Sequence, residues 1–99
     1  MSIEKAGEFV EKFFTNDEFM IRAIKESGLD RYKKETGSDP SEQEQFEMMT
    51  RAAKILGYDM TPEEYATASR AYFNQIGGWQ SLRKVFHVAT TFKKAEGIE

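Results

Sequence analysis

Cysteine is absent from the 99 residues, and histidine occurs once, as His87. The first absence excludes a disulfide framework and thiolate metal ligands. The second excludes any site built from two imidazoles. Zinc at His87 would have to take its other ligands from carboxylates or water, a set it rarely uses, and no Ser or Thr stands in a local nucleophile signature with it. Helix breakers are scarce, with two Pro and seven Gly. No stretch nears the roughly 18 consecutive apolar residues of a membrane span. The opening Met1-Ser2-Ile3-Glu4-Lys5 is charged at once, without the apolar run of about 7–15 residues that a secretory signal carries. The expected setting is therefore the cytoplasm, with no metal and no cofactor.

Acidic residues are missing from Tyr65 to Ala95. The net charge of −3 divides into −6 over residues 1–64 and +3 over residues 65–99. Such a division suits a basic tail packed on an acidic body, or a basic tail offered to an acidic partner.

Apolar residues recur at spacings of three and four nearly everywhere, and strict alternation occurs nowhere, so the chain reads as all-α. Ile3, Ala6, Val10 and Phe13, widened by Phe9 and Phe14, predict a helix over 2–14 with Ser2 as its cap. Thr15-Asn16-Asp17 ends it and caps a second helix over 17–27, closed by Gly28. Residues 28–40 carry turn signals and only Leu29 and Tyr32 as anchors, which predicts a loop with one helical turn near Asp30–Lys34. Asp39-Pro40 then predicts a helix over 40–56, with Asp39 as cap and Pro40 in the first position. Its apolar residues are Phe46, Met49, Ala53 and Leu56, with Met48, Ala52 and Ile55 beside them. Thr61-Pro62-Glu63-Glu64 is a capping box that starts a helix over 62–76. After Gly77-Gly78, a last helix is predicted over 79–94. The expectation is a small single-domain bundle of about five helices.

Catalytic patterns are weak. Glu42, Glu44 and Glu47 crowd a helix start, where acidic side chains suit the helix dipole. A paired-carboxylate site would need two of them in a concave pocket with raised pKa values. The helices on either side of Gly57 have the order of a helix-turn-helix. However, Glu63 and Glu64 occupy the turn that would meet phosphate, and a pI near 5.3 lacks a nucleic-acid footprint. The chain is read as non-enzymatic, with neither nucleic acid nor membrane as partner. What remains is the last helix, where Trp79, Leu82, Val85, Phe86, Val88 and Phe92 cover more than one face. That pattern suits burial between other helices, docking on a protein partner or pairing with a second copy. Trp79, Leu82, Val85, Phe86 and Phe92 are the candidate partner-binding residues.

Two segments together resemble the nitrogen-fixation-protein-eleven (Nif-eleven) family. They are Met1-Ser2-Ile3-Glu4-Lys5-Ala6-Gly7-Glu8-Phe9-Val10-Glu11-Lys12-Phe13, followed by Asp17, and Ala53-Lys54-Ile55-Leu56-Gly57-Tyr58-Asp59-Met60-Thr61-Pro62-Glu63-Glu64-Tyr65. The resemblance covers about half the chain. It implies a small helical protein that either stands alone or serves as the leader of a peptide precursor. In a precursor, a modifying enzyme would bind the leader and a peptidase would cut after a double glycine. Gly77 and Gly78 are then the candidate processing site, residues 1–78 the leader and residues 79–99 the released peptide. The segment after Gly78 has no Cys, so thioether rings cannot form in it. Gln75 stands where such leaders place an apolar residue, and residues 28–40 resemble an insertion. The leading expectation is a stand-alone binding module that uses an apolar helical surface. The alternative is the precursor.

Overall fold

Helix caps set most of the boundaries. In the computed structural model, which describes residues 3–97, α1 spans Ile3–Thr15, α2 Asp17–Ser27, α3 Leu29–Thr36, α4 Glu42–Ile55 and α5 Pro62–Gly97. No strand occurs among the described residues. Ser2, the expected first cap, lies outside the described residues. The Asn16 side chain accepts the Phe19 amide at 3.0 Å and starts α2. Gly28, at φ 80°, closes α2 in the left-handed conformation. Thr61 and Glu64 form the expected reciprocal box, at 2.9 and 3.1 Å. Such a cap contributes about 1 kcal/mol.

The five-helix division predicted from the sequence is corrected at three places. Residues 29–36 form a two-turn helix instead of a loop, with no fully buried residue. Polar tethers hold it: the Asp30 carboxylate, 1% exposed, lies 3.1 Å from Lys25 Nζ, and the Tyr32 hydroxyl donates to Glu44 at 2.7 Å. The next helix begins at Glu42, with Ser41 as cap in a second reciprocal box with Glu44, so Asp39 and Pro40 precede the helix. The two helices predicted over 62–76 and 79–94 follow each other without a loop in one element, α5, and meet at a kink at Gly77 (φ 82°, ψ 174°), where the sequence places the break. The result is four helices of eleven residues or more, with α3 as a short connector.

The core lies where α1 and α2 meet α4 and both halves of α5. Phe9 and Val10 of α1 and Met20 and Ile24 of α2 are fully buried. Ala6, Ala23, Ala52 and Ala53 are buried between them and let the backbones approach closely. Phe9 meets Phe19, Tyr58 and Tyr65 edge-to-face at ring distances of 5.5, 5.7 and 6.1 Å. Phe14 stacks on Tyr72 at 5.1 Å and meets Phe73 edge-on at 5.0 Å. Edge-to-face and offset arrangements are the favoured ones, each adding about 0.5–1.5 kcal/mol beyond area burial. Ile3 and Ile55, expected on buried stripes, are 49% and 66% exposed. Each is the terminal residue of its helix, where fewer neighbours cover a side chain. The radius of gyration, 12.9 Å, matches the roughly 13 Å of one close-packed domain of about 100 residues.

Candidate functional site

The second half of α5 is bound to the body along one face and apolar along the other. Past the break at Gly77, the Ser81 hydroxyl donates to the Phe73 carbonyl at 2.9 Å and ties the two halves together. Lys84 Nζ donates to the Phe14 carbonyl at 2.7 Å. That oxygen belongs to the last turn of α1, where a cation also complements the helix dipole. His87 Nε2 lies 2.6 Å from Asp17 Oδ1 in the first turn of α2. Thr91 and Ala95 are buried, at 2% and 0% exposure. Val88 and Phe92 pack half-buried against the core.

The opposite face shows Trp79, Leu82, Val85 and Phe86 to solvent, 78%, 48%, 56% and 67% exposed, with Ala89 continuing the row. Their spacing places them on one side of a helix. Four of the five candidate partner-binding residues are thus brought together. Phe92 is not among them: it turns inward and lines a small apolar cavity of about 140 Å³ with Phe13, Phe46, Met49 and Val88. Arg83, Lys93 and Lys94 are exposed on the same half-helix, and none of them forms a salt bridge with a described residue.

Gly77 and Gly78, the candidate processing residues, are both exposed. Nothing lies within 4 Å of where a Cβ on either would stand. Of the two, Gly77 has positive φ and Gly78 does not.

Asp17, His87 and Lys84 also line a polar cleft of about 340 Å³ together with Arg83 and Gln80. His87, followed by the nearby Lys94 and Lys84 charges, holds the Asp17 carboxyl below its ordinary 3.8, and partial desolvation opposes them. A carboxyl depressed in the folded state stabilises the fold above its unfolded pKa, and that contribution disappears as pH falls through the depressed value. Asp17→Asn is therefore expected to remove part of the stability difference between pH 7 and pH 3, read as urea midpoints at the two pH values. An unchanged difference would deny the pair any role in holding α5 to α2.

Of the carboxylates near the start of α4, Glu44 closes the cap. Glu44 is held low by the Ser41 backbone amide and then by the Tyr32 hydroxyl, and Glu47 accepts from Gln43 at 3.1 Å. A paired general acid needs a raised pKa, and Glu44 is shifted the other way. Burial pushes the Tyr65 phenol up to about 12. Among the described residues no group of three His, Asp or Glu side chains is placed to hold a metal ion. No helix among them is long and apolar enough to cross a membrane.

One feature had no place in the sequence reading: a groove of about 410 Å³ between α1 and the first half of α5. Ile3, Ala68, Ala71 and Tyr72 line its apolar part, and Glu8, Glu11 and Gln75 supply polar groups. Its signal in the sequence is the run of small residues Gly7, Thr67, Ala68 and Ala71 on two helices that pack together, where a missing side chain leaves a hollow. Comparison with protein-family models, with curated proteins and with solved structures finds no match to this chain.

Proposed function

We propose that this chain is a non-enzymatic interaction module, a stand-alone protein resembling the Nif-eleven family, and that the second half of α5 is its binding surface. The observation that carries the reading is the row Trp79, Leu82, Val85 and Phe86, exposed on a helix whose other face is already packed. A fold that needed α5 only for its core would gain nothing from two aromatic side chains in water. Neighbouring apolar residues on one helix face are the usual anchor set of a docking surface, and Trp ranks high among residues that dominate binding energy. Arg83, Lys93 and Lys94 add a basic character that favours an acidic counterpart.

The reading is tested by placing a photo-crosslinking amino acid at Phe86, with exposed Arg51 on α4 as the control, and irradiating cells of the source organism. Discrete adducts from position 86 and none from position 51 are expected. Equal labelling from both, or none from either, overturns it.

A second reading, the peptide precursor, draws on the exposure of Gly77-Gly78 and the non-helical backbone at Gly77. A protease channel that takes an extended segment without side chains would favour such a site. Incubation with a double-glycine peptidase, followed by mass measurement, tests it. Conversion to a 1–78 fragment supports it, and an uncut chain removes it.

A further inference from the structure

We propose that the exposed row on α5 docks head-to-tail into the groove between α1 and α5 of a second copy of this chain, with Trp79 entering the groove. This rests on the reading of the row as a binding surface and commits that surface to one occupant.

Charge selects the geometry. Pairing two rows about a two-fold axis would bring together two faces that each carry Arg83, Lys93 and Lys94. No residue from Tyr65 to Ala95 is acidic and able to relieve them. Like charges facing each other across an interface oppose association. The groove carries the opposite sign: Glu8 and Glu11 stand on its lining. Glu8 has an exposed contact with Lys5 at 3.9 Å, and the Glu11 carboxylate has no salt bridge to a described residue.

Shape and hydrogen bonding agree with charge. Gly7, Ala68 and Ala71 leave about 410 Å³ of space beside Tyr72, which accommodates an indole ring. A buried indole N–H needs an acceptor, and the Glu8, Glu11 and Gln75 side chains provide three. Arg83 follows Trp79 by four residues and so lies on the same flank one turn along. With Trp79 seated, its guanidinium comes to the acidic side of the groove. An anionic lipid surface would also accept an apolar row with cations. The groove, however, adds to charge a hollow of fixed shape bounded by Gly7, Ala68 and Ala71, which a lipid surface does not offer. Because row and groove are different surfaces, each copy keeps one of each to offer, and the contact builds chains, or rings where the rotation closes.

The sole Trp reports on the contact directly. Wild-type protein at low salt is expected to gain mass with concentration in sedimentation velocity and to revert to monomer at high salt, with Trp79 emission moving to the blue as it associates. Trp79→Ala and Ala71→Glu alter exposed positions, so both variants fold, and each alone is expected to be monomeric. Their equimolar mixture is expected to give a one-to-one dimer and nothing larger, with blue-shifted emission from the single remaining Trp. Three outcomes overturn the proposal: a monomer at every concentration, an oligomer that survives Ala71→Glu, or an emission shift produced only by phosphatidylserine vesicles. The crosslinking result at Phe86 is read separately, so loss of the head-to-tail contact is distinguishable from loss of the binding surface itself.

Discussion

A chain ending at Gly78 is expected to lose cooperative unfolding. The removed segment contributes the buried Thr91 and Ala95 and the half-buried Val88 and Phe92. It also contributes the Ser81, Lys84 and His87 tethers to α5, α1 and α2. Burying a Val or Phe side chain stabilises by about 1.5–3 kcal/mol, and each hydrogen bond by about 1 kcal/mol net. Even with partial burial discounted, the loss is on the order of 5 kcal/mol, against a total of about 5–15 kcal/mol for a small domain. Residues 1–78 should keep much of their helical circular dichroism, bind a hydrophobic dye and melt over a broad range without a sharp midpoint. A truncated chain that melts as sharply as the full one, within a few degrees, would show that residues 79–99 are carried by the fold and not built into it. That outcome would favour the precursor reading.

How far the fold was legible followed the range of the interaction that writes each feature. The Thr61 and Glu64 box is closed within four residues, and Asn16 caps α2 within three, so both could be read directly. The box of Ser41 with Glu44 was equally local, yet the stronger punctuation of Asp39-Pro40 masked it. Helix α3 could not be seen, because its anchors are a buried ion pair to Lys25 and a hydroxyl bond to Glu44. Polar tethers leave no hydrophobic period. The candidate binding row was visible only as an excess. Residues 79–94 are apolar on more than one side, and nothing in the pattern says which side turns in. The structure turns in Thr91 and Ala95 together with Val88 and Phe92, and leaves Trp79 and Phe86 outside. The groove was illegible for a related reason, since a hollow is made by side chains that are missing.

The two glycines at the break separate the readings most sharply, because the backbone asks different things of them. Gly77 stands at φ 82° and ψ 174°, a region that essentially only glycine occupies, and forcing another residue there costs on the order of 1–3 kcal/mol. Gly78 does not have positive φ and continues the helical run, with open space where its Cβ would be. There alanine should be neutral or should stabilise by about 0.5–1 kcal/mol. For a domain of this size each kcal/mol moves the midpoint by roughly 4–8 °C. Gly77→Ala is therefore expected to lower the thermal midpoint by about 5–20 °C, and Gly78→Ala to leave it unchanged or raise it slightly. The strain in Gly77→Ala can also be relieved by straightening α5. That would pull Lys84 and His87 off α1 and α2 and show as a loss of the pH sensitivity that Asp17 confers. A peptidase that needs two bare residues makes a different demand, since either substitution would block its cut equally. Equal and negligible effects of both substitutions on stability would remove the structural role assigned to Gly77, and with it the argument that the break exists to swing the second half of α5 onto the body.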